Sequence, residues 1–308
     1  MERREFLAGA GVMAASMLAA KAVADKGAPK GDPNEKGALL WQDITVDGFD
    51  AAVKRTQGVV LVPFGCLEKH GHHMPLGTDS LVAHEICRRA AERETAVVFP
   101  MSPFGMVEEV KHMRGTMSIS NRTMFALFDE MCDEFARNGL KKIVFVNDHG
   151  GNGSFLSMFL KSRLERRHPY QCYSWFKRLT PEQEPEFLRR LGRTTMPDMG
   201  HADIIESSEI LAMTPEKMHM ERVNPEESRN LNRLGFYDQY RVDTPIAWYG
   251  ARPTHFAGDP TGANPELGEW LLESFADTLS KVIRLVKDDK LTGKLQDEYY
   301  DALENPHV

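Results

Sequence analysis

Glu68, His70 and Asp79 fall within one short segment, Gly65-Cys66-Leu67-Glu68-Lys69-His70-Gly71-His72-His73-Met74-Pro75-Leu76-Gly77-Thr78-Asp79. Further along, Asn147-Asp148-His149-Gly150-Gly151-Asn152-Gly153 sets His149 among glycines. A third cluster, Gly200-His201-Ala202-Asp203-Ile204-Ile205-Glu206-Ser207-Ser208, adds His201 and Glu206. Carboxylates and imidazoles together are the donor set that suits a divalent metal ion. Glu68 and His70 alternate in a turn, so both can point into one cavity. The glycines permit tight turns and close backbone approach. A carboxylate bridging two cations about 3.5–4 Å apart would polarise a water between them, the logic of two-metal hydrolases. His201 and Glu206 could complete such a site, one as proton carrier and one as ligand. Taken singly, each residue has a plainer reading. Asp79 could be a helix cap, His201 another cap, Glu206 a helix-face charge and His149 a phosphate-loop residue. His72, His73 and His112 read as surface or supporting histidines. The coincidence of the first two clusters, each after a strand-like run, is what favours metal.

The elements that must position these residues follow from the apolar pattern. Val59–Phe64 is a short apolar run ending at glycine, the pattern of a buried strand. Thr95–Pro100, Lys142–Asn147 and Tyr170–Trp175 read the same way. Helical spacing runs from Asp79 to Arg93, where Leu81, Val82, Ile86 and Ala90 share a face and Asp79 can act as N-cap. A second helix is expected over 121–138, with Asn121 as candidate cap and Gly139 as the stop. Others are expected over 153–167, 204–213 and 267–287, the last with Leu271, Leu272, Phe275, Leu279, Val282 and Ile283 inward. Residues 176–200 read as an excursion near the site. Strands and helices alternate, which predicts an α/β fold with a mostly parallel central sheet covered on both faces. In such a sheet, chemistry gathers just beyond the carboxyl ends of the strands.

A chain of 308 residues can bury a large core without a disulfide scaffold. The net charge of −7 and the lack of a long basic block argue against nucleic acid as partner. Cys66, Cys87, Cys132 and Cys172 lie far apart and form no C-x-x-C pair. They read as buried thiols, with pairing left open should the protein be exported. The chain opens with Arg3-Arg4 before Phe6-Leu7, then a small-residue apolar stretch and Ala22-Val23-Ala24. That order matches a signal peptide over residues 1–24 and resembles the twin-arginine export signal. Export to the periplasm is therefore expected, with no membrane span left after cleavage. Residues 25–38 read as a polar linker and 39–308 as the mature domain.

At these residues the chain resembles the creatininase (creatinine amidohydrolase) family. That family carries G-S-x-E-Q-H-G-P-H-L-P-L-G-T-D, N-G-H-G-G-N and H-A-G-x-x-E-T-S segments. Here they read GCLEKHGHHMPLGTD, NDHGGN and HADIIESS, in the same order. Gly105, His112, Gly115 and Thr116 meet a weaker pattern, and Gly258-Asp259-Pro260-Thr261-Gly262-Ala263 meets a late G-D-P-x-x-A element. The resemblance implies a three-layer α/β/α fold, two divalent metal ions per chain (Zn, Mn or Fe) and hydrolysis of a C–N amide bond through a metal-bridged hydroxide. It implies Glu68 and His149 on one metal, His70 and Glu206 on the other, Asp79 bridging them and His201 transferring the proton. A small amide, cyclic or linear, would be the substrate and a homo-oligomer, commonly a hexamer, the assembly. Departures stand at Lys69, His72, Asp148 and Asp203. Gly150-Gly151 replaces the Tyr-Glu pair of proper creatininases, which points away from creatinine. Lys69 and His72 would add positive charge at the rim and favour an anionic substrate. A peptide- or formamide-cleaving enzyme, or a non-catalytic periplasmic metal- or solute-binding protein, is the alternative.

Overall fold

The computed structural model describes residues 38–304 and Pro306. The expected export signal, over residues 1–24, and most of the expected linker lie outside the described residues. Five strands, β1 (Leu39–Leu40), β2 (Val59–Phe64), β3 (Val97–Val98), β4 (Lys142–Asn147) and β5 (Gln171–Phe176), form one sheet in the order β1-β3-β2-β4-β5. Every pairing is parallel. The long strands are apolar throughout because both faces are covered. Val59, Leu61, Val144 and Val146 face one core, and Val60, Val62, Phe64, Ile143 and Phe145 face the other. That alternation is the period of two that a pleated strand imposes.

Nine helices flank the sheet among the described residues: α1 (Val46–Arg55), α2 (Thr78–Arg93), α3 (Asn121–Arg137), α4 (Asn152–Ser162), α5 (Glu184–Leu191), α6 (Ile204–Met213), α7 (Ala247–Ala251), α8 (Pro265–Asp288) and α9 (Leu291–Glu304). Helices α2, α5, α6 and α8 pack on the first face through Val82, Ile86, Phe187, Ile210, Leu271 and Phe275. Helices α3 and α4 cover the second with Phe128, Phe135, Phe155 and Phe159. The result is the expected three-layer α/β/α arrangement. Each buried aromatic side chain on that second face contributes roughly 1.5–3 kcal/mol.

Three boundaries differ from the pattern, each for a local reason. Thr95–Pro100 yields only Val97–Val98 as strand. Pro63 and Pro100 have no N–H to give the ladder, and the contact continues only as Phe99 N to Leu61 O and Ser102 N to Pro63 O, at 2.9 and 3.2 Å. Helix α4 stops at Ser162 instead of running to 167. There Tyr300 of α9 donates its hydroxyl to the Arg166 carbonyl at 2.6 Å, so docking of the last helix holds the chain in a turn. Helix α3 is capped by Ser120, whose hydroxyl accepts from Thr123 N, not by Asn121. No helix among the described residues is long and apolar enough to cross a membrane.

Candidate metal centre

The two main motifs meet because they follow adjacent strands. In the β2–β4 ladder Phe64 stands opposite Asn147, so both loops leave the sheet at the same level. Glu68 and His70 lie in the loop after β2, Asp79 in the first turn of α2, and His149 in the turn after β4. The third cluster reaches them from the side. His201 forms an isolated antiparallel bridge with Ala257, and Glu206 lies in the first turn of α6. Asp203 caps α6 by accepting from Ile205 N and Glu206 N. Ala202 takes a left-handed φ of 59°, a conformation uncommon outside glycine. Its N–H donates to Glu206 Oε2 at 2.6 Å and fixes that carboxylate.

All six residues singled out in the sequence converge. Glu68 Oε1 lies 3.0 Å from His149 Nδ1, and Asp79 Oδ2 lies 3.2 Å from the same nitrogen. His70 Nε2 is 2.8 Å from Asp79 Oδ1 and 3.7 Å from Glu206 Oε2. His201 Nδ1 is 3.6 Å from Glu68 Oε1. Asp79 therefore faces both groups, one built on Glu68 and His149, the other on His70 and Glu206. It is not the N-cap of α2, since Gly77 holds that position and the Asp79 carboxylate turns to the cluster. The donor atoms of Cys66, Glu68, Asp79 and His149 lie within 4.8 Å of one another, as do those of His70, Asp79 and Glu206.

Tautomers follow from the outer hydrogen bonds. A backbone carbonyl only accepts. His149 Nε2 faces Met106 O at 2.9 Å, His70 Nδ1 faces Glu68 O at 3.2 Å, and His201 Nε2 faces Lys69 O at 2.7 Å. Each ring spends its N–H there and aims the other nitrogen into the cluster. Metal-binding histidines are oriented in this way. A bare nitrogen lone pair against a carboxylate oxygen at 2.8–3.2 Å is repulsive, so a cation must sit between them, a proton or a metal ion. With the rings neutral, the fully buried Glu68 Oε1 accepts no hydrogen bond, and only a cation between it and His149 Nδ1, 3.0 Å away, satisfies it. The titration behaviour states the same demand. Burial opposes charge on His70, but Asp79, Glu206 and Glu68 outweigh it and push the imidazole up to about 10. Burial also opposes charge on His149, and Glu68 still carries it well above its usual range. Glu68 itself is held low by His149 and His201 despite its burial. Burial and the adjacent His70 charge bring His201 down to about 3, which keeps it neutral. The donor set fits a divalent metal.

Several groups were not found from the sequence. His255, also in a left-handed conformation (φ 54°), places Nε2 2.8 Å from Glu68 Oε2. The Trp248 indole donates to His255 Nδ1 at 2.7 Å. Because an indole only donates, the imidazole proton must be on Nε2, where it holds the carboxylate. Behind the site, Lys177 Nζ lies between Asp148 Oδ1 and Glu209 Oε2, at 2.6 and 2.7 Å, all three side chains nearly inaccessible. Asp148, a departure from the family segment, is thus one of two carboxylates paired with a buried lysine. One carboxylate, Glu227, faces both of the groups expected to charge the rim. Lys69 Nζ pairs with Glu227 Oε2 at 3.1 Å, and His72 Nε2 lies 3.3 Å from Glu227 Oε1. Gly151 leaves no room for a side chain: a Cβ would come 2.4 Å from Met106 O and 2.6 Å from His149 Nε2. All four cysteines are free thiols, with Cys132 and Cys172 sulfurs 3.9 Å apart.

A cleft of about 450 Å³ opens beside Glu206, walled by Gly150, Phe176, Arg178, Met199 and Ile205. Two aromatic side chains, Phe176 and Phe275, line it. Trp175 lines a neighbouring cleft, Phe104 packs into the core and Trp248 serves His255. Another cleft of about 410 Å³, around Asn230–Ala251, is lined by none of the clustered carboxylates or histidines.

A parallel α/β/α sandwich with a cluster of carboxylates and imidazoles beyond its strand ends defines a metallohydrolase-like class. The creatininase family profile, described as creatinine amidohydrolase, matches residues 42–283, and the chain belongs to that family of hydrolases. It is 28% identical over 263 residues to the creatinine amidohydrolase of Pseudomonas putida, covering 80% of this chain and 95% of that one. Similarity to the 3-dehydro-scyllo-inosose hydrolase of Thermotoga maritima is 24% over 282 residues, 83% and 86% of the two chains. A shorter match, 37% over 103 residues, links it to the mycofactocin precursor peptide peptidase of Mycolicibacterium smegmatis, covering 30% of this chain and 40% of that one. Among solved structures, a creatinine amidohydrolase superposes with a TM-score of 0.64 at 25% identity, over 82% of this chain and 99% of the other. A manganese creatininase gives 0.66 at 22% identity, over 82% and 100%.

Proposed function

We propose that the protein cleaves the C–N bond of a small amide, cyclic or linear, at a pair of divalent cations. The observation that carries this reading is the fully buried Glu68 Oε1, left without a hydrogen bond among inward-facing imidazole nitrogens. In this reading Glu68 and His149 hold one ion, His70 and Glu206 the second, and Asp79 both. Bound metal supplies Lewis-acid polarisation of the amide carbonyl and activation of water. The remaining work falls to this chain's residues. Met106 O and Glu68 O orient His149 and His70, and His255 orients Glu68. His201, pinned through Nε2, keeps Nδ1 free beside Glu68 to take a proton and return it to the leaving nitrogen, as a general acid. The cleft beside Glu206 would seat the substrate.

Retention of His201 beside every expected ligand favours an enzyme over a metal- or solute-binding protein. The crowding at Gly151 supports a substrate other than creatinine, because the Tyr-Glu form of proper creatininases has no space there. The local likeness to a peptide peptidase supports including peptides and formamides among the substrates to be tested. Periplasmic export, proposed from the amino-terminal Arg3-Arg4 signal, and a homo-oligomer, proposed from the family likeness, complete the reading. The test is reconstitution with Zn or Mn, elemental analysis, and a panel of creatinine, cyclic and linear amides, formamides and short peptides. Two ions per chain and turnover of a non-creatinine amide are expected, with Asp79→Ala losing both ions. A protein that binds no metal would end the proposal. Creatinine turnover with kcat/KM near about 10⁴ M⁻¹s⁻¹ or above would overturn the substrate assignment.

A further inference from the structure

Cys66 stands where the family segment carries serine. Its side chain is completely buried, and Sγ lies 3.0 Å from Asp79 Oδ2. Sulfur, one oxygen each of Glu68 and Asp79, and a nitrogen of His149 lie within 4.8 Å of one another. Independently, the unbonded Glu68 Oε1 is aimed into the same group of four. The creatininase-like reading gives that position three donors. We infer that Cys66 is a fourth, a sulfur ligand to the ion held by Glu68, Asp79 and His149.

The chemistry follows from softness and number. Three nitrogen and oxygen donors suit Zn, Mn or Fe alike, whereas thiolate selects zinc over manganese. Four donors including sulfur are a set that zinc takes. Ligation forms one metal–sulfur bond and breaks one S–H bond. The proton goes to solvent buffer, and no electron is transferred. The hydrogen bond that the thiol otherwise gives Asp79 is given up, which leaves Oδ2 free for the cation. Cys87, a buried thiol within α2, belongs to no donor cluster among the described residues and serves as a control.

This inference rests on the metal reading above, and its test separates the two. Zinc-loaded wild type, Cys66→Ser and Cys87→Ser are compared by X-ray absorption at the zinc edge. Cobalt-loaded samples are compared by near-ultraviolet absorption. Wild type and Cys87→Ser should show a sulfur neighbour at about 2.3 Å and a thiolate-to-cobalt charge-transfer band. Cys66→Ser should lose both signals while binding the same number of ions, and competition should move its preference from zinc toward manganese. Metal held by nitrogen and oxygen alone in the wild type would overturn the inference and leave Cys66 as a thiol donor to Asp79. That spectrum decides the matter even if Cys66→Ser fails to fold. A wild type that binds no metal overturns the functional reading, and this inference with it.

Discussion

Removing His255 should weaken metal binding without touching a proposed ligand. Its imidazole gives Glu68 Oε2 a hydrogen bond of 2.8 Å, and Trp248 fixes the tautomer that makes this possible. A hydrogen bond to a charged acceptor contributes roughly 1.5–3 kcal/mol. At about 1.4 kcal/mol per factor of ten, His255→Ala should lower zinc affinity roughly 10- to 150-fold. Loss of an outer partner to a metal ligand spans a similar range, about 10- to 100-fold. Trp248→Phe keeps the imidazole but removes the donor that fixes it, a neutral bond of about 0.5–1.5 kcal/mol, so roughly a 2- to 13-fold loss is expected. His255→Gln retains an N–H and should recover part of the affinity. Zinc affinity is read by competition with a chromophoric chelator, and thermal melting of the metal-free proteins separates affinity from folding. Alanine occupies the left-handed conformation less readily than histidine, so the melting comparison is what separates added backbone strain from lost affinity. Zinc affinity of His255→Ala within twofold of wild type would refute the argument that this histidine holds Glu68 for metal.

His201→Ala should lower turnover roughly 10²–10⁴-fold while elemental analysis shows unchanged metal content; loss of metal would make His201 a ligand. Lys177→Met strips the cation from between the buried Asp148 and Glu209 carboxylates, and urea titration should show a loss of about 3 kcal/mol. Adding Glu209→Gln should recover part of that loss, and no recovery would place the damage in packing. Gly268→Ala would bring a Cβ 1.8 Å from the Ser208 carbonyl where α8 crosses α6. A fall in stability of about 1–3 kcal/mol or more is expected by the same titration, and a neutral result would show that the two helices can part.

The long strands β2 and β4 were legible because burial on both faces leaves an unbroken apolar run with turn residues at its end. Their adjacency was not legible, yet it is what brings Glu68 to His149. Ser120 and Gly77 displaced the expected caps because the serine hydroxyl reaches Thr123 N and the Asp79 carboxylate has stronger partners in the cluster. Helices α1, α5 and α9 each bury a single residue, Ala52, Phe187 and Tyr300, and their place is set by tertiary contact, as with Tyr300 against the end of α4. Donor residues in glycine-rich turns announced themselves by type. Their partners did not. His255 lies in an irregular loop far along the chain, and only folding sets it against Glu68. Lys69 displayed a charge whose cancelling Glu227 is equally remote. Cys66 sat inside the most informative segment and read as an ordinary buried thiol, because its three neighbours at the site come from the loop, from α2 and from the turn after β4.

The site is divided between two layers with different mechanical character. Glu68, His70, Asp79 and His149 are fixed by the ends of β2 and β4 and by the start of α2, which the packed sheet holds rigid. His201, Glu206 and His255 arrive on a second layer, joined by the His201–Ala257 bridge and held against the first by the hydrogen bond from His201 to Lys69 O. The left-handed residues Ala202 and His255 both lie in this second layer. Strain of about 1–3 kcal/mol at such positions persists only where the surroundings over-determine it. Here the surroundings are the α6–α8 crossing at Gly268 and the Trp248 indole. The strained layer brings the proton carrier, one carboxylate donor and the orienter of Glu68. The rigid layer brings the other donors of both groups, including the carboxylate of Asp79 that faces each. A cation between His70, Asp79 and Glu206 would therefore tie the two layers together, since Glu206 comes from the second layer and meets Asp79 only through that ion.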